Sequence, residues 1–297
     1  METQLQSKAS SHVPARTETR APIEEVCQLM RRTYGRDISA YEGRFLEKSF
    51  AKRQAATPAQ SASAYLHLLS EDRAEANLFL DSLNITYSEF FRSPLTFAHL
   101  EQLILPNLLS EADNAGRAEV RVWIAGCASG QEAWSVAMLL KDLSTTRGRS
   151  ISFRIFATDI SAAALDTARA GAYDQASVQN VRLKHLREYF LKKDDTYTIA
   201  PWLRSHVEFS RHDLLDGRSA CPPISLYGDF DLILCCNLLL YYRADHLRRA
   251  LDKISRALAP GGFFVTGEAE REIVASHPRL RPVSLPAAAY RYNPKTT

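Results

Sequence analysis

The sequence predicts an α/β fold in which a small all-helical domain precedes a doubly wound, mainly parallel sheet. Three observations predict it. From residue 22 to about 110, apolar residues recur at spacings of three and four, the period of helices with one buried face. From Val120 the texture changes to short β-rich runs separated by helical patterns, the alternation of strands with crossover helices. Between the second and third runs lies one long connection carrying its own turn signal, Lys192-Lys193-Asp194-Asp195, which predicts a small antiparallel insert.

Each element follows in order. Residues 1–20 are polar and lack the apolar core of a secretory signal, so a disordered tail is expected. Residues 21–110 form the helical domain, with Val26, Leu29 and Met30, then Tyr65, Leu68 and Leu69, then Leu78 and Leu80 on buried faces, and Thr57-Pro58 marking a helix start. Residues 111–297 hold the sheet. Its strands are VRVWIAGC, SFRIFATDI, HVEFSRHD, FDLILCCN and GGFFVTG, with AAYRYN as the last, and the insert occupies about 172–205.

Composition narrows the function classes. Of 297 residues, 45% are hydrophobic and 24% charged, and no window reaches the ~18 consecutive apolar residues of a membrane span. Five cysteines without a CxxC pair suggest neither a disulfide framework nor a metal site, and fit a reducing cytoplasm. A net charge of +3 is too small to argue for nucleic acid. The basic residues are nevertheless concentrated: Arg44, Lys48 and Lys52 are spaced by four and share a helix face. That face either meets an acidic partner or is simply solvated.

In open parallel sheets, ligands bind beyond the carboxyl ends of the strands. The first strand ends in Gly126-Cys-Ala-Ser-Gly130, whose small residues let the backbone approach a ligand closely. No phosphate motif is present, and Glu132 at the mouth of the next helix would repel an anion. Asp159, ending the second strand, stands where an acid bonds ribose hydroxyls. Together they suggest a cationic nucleoside such as S-adenosylmethionine rather than a dinucleotide. After the fourth strand come Cys235-Cys236-Asn237 and Tyr241-Tyr242, which suit either a site or a capped turn with core aromatics. Arg92, directly after Phe90-Phe91, could present a guanidinium to a carboxylate.

Taken in order, ITYSEFFR, AGCASGQEAWS, ATDIS, FDLILCCNLLLYY and LAPGGFF resemble the CheR family of chemotaxis receptor methyltransferases. The resemblance runs from about Ser39 to Tyr292. It implies a class I methyltransferase sheet of the Rossmann-like type and S-adenosyl-L-methionine as cofactor. It also implies transfer of a methyl group to glutamate side chains on the cytoplasmic helical domain of a methyl-accepting receptor, by a cytoplasmic monomer.

Carried over by position, Thr86, Ser88, Arg92, Gly126, Gly130, Glu132, Asp159, Asp213, Leu214, Asn237 and Leu238 are expected at the cofactor. Arg92 is expected to hold the acceptor carboxylate, Tyr241 to orient Arg92 or the methyl group, and Arg44, Lys48 and Lys52 to dock the acceptor. Three positions depart from the family pattern: Cys236 stands for an arginine, Asp213 for an asparagine, and Gly267-Glu268-Ala269-Glu270 for G-H-S-E. They keep open an alternative, a divergent docking module without turnover, or a methyltransferase with another substrate.

Overall fold

The computed structural model describes residues 22–146, 152–225, 227–283 and 288–294, so the tail expected over residues 1–20 lies outside them. Four helices come first: α1 (Ile23–Tyr34), α2 (Gly43–Ala55), α3 (Ala62–Glu71) and α4 (Arg73–Ser82). Their ends have local causes. α1 stops at Gly35, which takes a left-handed φ of 64° and returns its N–H to the Arg31 carbonyl. The side chains of Glu42, Ser61 and Asp72 accept hydrogen bonds from the first backbone N–H groups of α2, α3 and α4. The start expected at Thr57-Pro58 is displaced to Ala62, because the Thr57 hydroxyl donates to the Gln54 carbonyl at 2.8 Å and closes α2 instead. Val26, Met30, Leu46, Phe50, Tyr65 and Phe79 fill the common core.

Helical periodicity continues beyond this unit, but its partner changes. α5 (Pro94–His99), a π-helical turn (Leu100–Ile104) and α6 (Leu105–Asn114) send Phe97, Leu100, Ile104 and Leu108 into the core beneath the sheet. The helical unit's own core ends at Leu83. Packing therefore divides the chain near residue 83 rather than at the expected 110, since a helical period shows which face is buried and not what covers it.

The remainder is built of β1 (Glu119–Ala125), α7 (Gln131–Thr146), β2 (Ser152–Asp159), α8 (Ala162–Ala170), β3 (Ala172–Asp174), α9 (Leu183–Tyr189), β4 (Phe190–Lys193), β5 (Thr196–Ile199), α10 (Pro201–Arg204), β6 (Val207–Arg211), β7 (Phe230–Cys235), α11 (Ala244–Ala257), β8 (Leu258–Thr266), α12 (Arg271–Ala275), β9 (Leu280–Pro282) and β10 (Ala289–Tyr292). Seven strands form one sheet in the order β6-β2-β1-β7-β8-β10-β9. The first five run parallel, and β10 lies antiparallel between β8 and β9.

Side-chain alternation explains why both faces are covered. On β1, Val122 and Ile124 join the core with α6 and α7, while Trp123 and Ala125 join the core with α11. The expected insert is present as a three-stranded antiparallel sheet, β3-β5-β4, whose hairpin turns at Asp194, with a left-handed φ of 53°. No helix among the described residues is long and apolar enough to cross a membrane.

Candidate active site

Strand order reverses between β1 and β7, and a cavity opens beyond the carboxyl ends of the strands at that switch point. The helical unit contributes Asp37, Tyr41 and Leu83 to its wall, and the sheet contributes Gly126, Asp159, Leu214 and Leu238. The two units are joined at its edge. The Glu42 N–H donates to the Tyr241 carbonyl at 2.7 Å, the Arg243 N–H donates to the Ala40 carbonyl at 2.9 Å, and Tyr41 and Tyr242 form an antiparallel bridge between them.

The turn after β1 is held by β2. The N–H groups of Gly126 and Cys127 both donate to the Thr158 carbonyl, at 2.8 and 2.9 Å, and that of Ala128 donates to Asp159 Oδ2 at 2.9 Å. Gly126 has a φ of 79°, where a side chain is strained, and a Cβ there would meet Leu238 Cδ2 at 2.7 Å and push aside a residue that lines the cavity. Gly130 is explained differently. A Cβ on it would sit 2.8 Å from that of Ala168, so the close approach of α8 requires a glycine here, and it does not line the cavity.

Asp159 accepts a second backbone hydrogen bond, from Ser161 at 2.8 Å on Oδ1. Burial lifts its carboxyl above the usual range, against these backbone donors. Across the cavity, burial pushes the Tyr41 hydroxyl up to about 12, with the charges of Asp213 and Asp159 acting in the same sense. Asp213 turns its own carboxylate to the Leu215 N–H at 2.8 Å.

The loop after β7 is organised by a carboxylate. Glu270 is 0% exposed and accepts from the N–H groups of Asn237 at 2.8 Å, Leu240 at 3.2 Å and Gly267 at 2.9 Å, and from the Thr266 hydroxyl at 2.6 Å. It thereby pins Asn237, a cavity residue held at a left-handed φ of 57°. Behind the cavity wall, Glu132 shares a hydrogen bond with the thiol of Cys236. Burial lifts the Glu132 carboxyl to about 7; the Cys236 hydrogen bond lowers it, the Glu270 charge adds to the rise, and Arg92 opposes it.

Arg92 reaches the cavity from a loop anchored by its neighbours. Phe90 packs edge-on against Tyr173, with ring centroids 4.9 Å apart, and the Phe91 N–H donates to Ser135 Oγ at 3.0 Å. The guanidinium lies 5.1 Å from the centre of the Tyr87 ring and donates to the Tyr87 carbonyl at 3.4 Å. Among the described residues it forms no ion pair.

Of the residues expected at the cofactor, Arg92, Gly126, Asp159, Asp213, Leu214, Asn237 and Leu238 line this one cavity. Thr86 and Ser88 do not; their neighbours Asn84, Ile85 and Tyr87 line it instead. Glu132 stands one layer back, behind Cys236. Tyr241 is also displaced: its ring packs on Phe45 of α2 at 4.7 Å, it makes no hydrogen bond to Arg92, and of the Tyr241-Tyr242 pair it is Tyr242 that lines the cavity. Arg44, Lys48 and Lys52 are exposed along one face of α2.

Sequence reasoning missed Tyr41 and Ser135, and named Tyr242 only beside Tyr241, without choosing between site and core. Of the two missed, only Ser135 carried a signal, as the last residue of AGCASGQEAWS.

The cavity's charged groups are three carboxylates, Asp37, Asp159 and Asp213, and a single guanidinium. This donor set suits a nucleoside with a cationic tail and opposes a pyrophosphate. The comparisons agree. A family model described as CheR methyltransferase, SAM binding domain, matches residues 86–285, and one described as CheR methyltransferase, all-alpha domain, matches residues 21–83. An uncharacterized 104.1 kDa protein of Rhodobacter capsulatus is 32% identical over 77% of this chain, which spans only 23% of that protein's length. A chemotaxis protein methyltransferase of Listeria monocytogenes is 29% identical over 82% of this chain and 87% of its own. Chemotaxis protein methyltransferase 1 of Pseudomonas aeruginosa is 32% identical over 65% of this chain and 69% of its own. The two family matches together run from residue 21 to 285 and divide where the packing divides, near residue 83, so the chain belongs to the CheR methyltransferase family and takes S-adenosylmethionine as its cofactor.

Proposed function

We propose that this protein transfers a methyl group from S-adenosylmethionine to the side-chain carboxylate of glutamates on the cytoplasmic helical domain of a methyl-accepting receptor or a similar signalling protein. It acts in the cytoplasm, as a monomer. The observation that carries the proposal is Arg92: one guanidinium without an ion-pair partner among the described residues, at a cavity whose other charged groups are the carboxylates of Asp37, Asp159 and Asp213.

The cofactor supplies an electrophilic methyl group on a sulfonium. A glutamate side chain ordinarily loses its proton at about pH 4.3, so the acceptor is already ionised near neutral pH and needs no general base. What remains for the chain is positioning and electrostatics. Arg92 holds the incoming carboxylate as a fork holds a planar anion. Asp159 engages the ribose, Gly126 and Leu238 shape the floor, and Glu132 behind Cys236 favours a cationic tail. The roof of the helical unit excludes water, which strengthens each of these interactions.

Cys236 favours a second reading, a docking module without turnover, because a thiol replaces the charged group expected beside Glu132. Calorimetric titration with S-adenosylhomocysteine, with Asp159→Ala as control, is the first test. Micromolar binding lost in the control supports an enzyme. A second step then seeks methyl transfer from labelled S-adenosylmethionine to a receptor signalling domain, released as methanol by alkali, as a carboxyl ester must be. No binding by the wild type would assign the fold to docking.

A further inference from the structure

We infer that His185, on helix α9 of the insert, is a positioning residue that sets the direction of Arg92 through Phe91. The inference rests on the role proposed above for Arg92. That side chain leaves a backbone with two non-glycine residues in the left-handed region, Phe91 at φ 52° and Ser93 at φ 59°. Such a backbone persists only where its surroundings over-determine it.

Three contacts fix Phe91. Its N–H donates to Ser135 Oγ at 3.0 Å, its ring meets Phe97 edge-on at 5.3 Å, and its face stacks on the His185 imidazole, 5.3 Å between centroids and 18° between planes. The imidazole is itself fixed. Only 2% of its side chain is exposed, and Nε2 lies 3.1 Å from Asp142 Oδ2 on α7. The same carboxylate accepts from Lys184 Nζ at 2.9 Å and from the Tyr189 hydroxyl. None of His185, Asp142 or Tyr189 lines the cofactor cavity, so the network touches no bound nucleoside. It meets the site through the Phe91-Arg92 peptide.

A displacement of about 1 Å at a positioning group can lower turnover by about a hundredfold. His185→Ala is therefore expected to lower kcat between about tenfold and a hundredfold. The acceptor is whichever receptor signalling domain the wild type methylates from labelled S-adenosylmethionine. The Kd for S-adenosylhomocysteine should stay within about threefold of wild type, since the network lies outside the cavity. His185→Phe, which keeps a flat ring against Phe91, should recover most of the rate. Adding His185→Ala to Arg92→Ala should cost little more than Arg92→Ala alone, because both act through one side chain.

Equal loss in the Ala and Phe variants, a Kd that worsens in step with kcat, or wild-type kcat in His185→Ala would overturn the inference. If His185→Ala does not fold, Phe91→Leu removes the stack from its other side and carries the same expectation. An active Arg92→Ala would instead refute the role given to Arg92, whereas an inactive one beside an unaffected His185→Ala refutes the His185 inference alone.

Discussion

Arg92 holds its charge at the cavity with no carboxylate partner among the described residues, so its removal should act on the acceptor more than on the nucleoside. Arg92→Ala is expected to lower kcat by at least about a hundredfold, while calorimetry finds S-adenosylhomocysteine affinity changed far less; parallel losses would reassign it to the cofactor. Glu132 offers a test by pH. Its carboxyl, raised to about 7 by burial, is protonated below that value and ionised above it. A bound cation favours the ionised form, so cofactor binding should release a proton, and affinity should rise with pH up to about 7 and then level. Titrations in buffers of different ionisation enthalpy read that proton directly. The raised value also has a sign for stability: the folded state binds the proton more tightly, so stability is present at low pH and lost as pH rises toward 7. Glu132→Gln should abolish the pH dependence of affinity. At this scale the sequence was only partly legible. Strand ends announced Gly126 and Asp159, but Tyr41, Tyr242 and Glu270 take their places through tertiary contacts that no spacing encodes. Gly130 and Tyr241 illustrate the converse, since a motif position can be occupied for packing.

At the scale of elements, periodicity was a sound guide to type and a poor one to partnership. β7 reads as a buried strand and is one, and the hairpin in the insert turns within Lys192 to Asp195 as its residues suggest. α5 and α6, by contrast, have the same helical period as α1–α4 yet pack with the sheet. The exposed face of α2 belongs to this scale because no single residue on it is decisive. Arg44, Lys48 and Lys52 stand in one line clear of the cavity, and exposed charges act additively and weakly, each worth about 1 kcal/mol or less. Replacing all three by Glu is expected to raise the apparent KM for the receptor domain at least about tenfold at low salt, with kcat little changed. The salt dependence of KM should shrink with them, and an unaltered KM would return the face to solvent.

For the whole molecule, the α/β class, the strand sequence and the insert were legible because alternating β runs and helices leave few ways to cover both faces of a sheet. The placement of the helical unit was not, because it is set by tertiary contacts, among them the two backbone hydrogen bonds between Ala40–Glu42 and Tyr241–Arg243 that make up the Tyr41–Tyr242 bridge. Glu42 has a φ of −64°, which suits proline, so Glu42→Pro removes the donor to Tyr241 with little backbone strain. Its side-chain cap on α2 is lost as well, making Glu42→Ala the control that keeps the N–H. Stopped-flow displacement of S-adenosylhomocysteine should then show faster dissociation in Glu42→Pro than in Glu42→Ala. That comparison concerns residence time rather than affinity: a nucleoside roofed by a separate unit leaves only as often as the joint parts, so the fastening between two domains becomes the clock on which spent cofactor is exchanged for fresh.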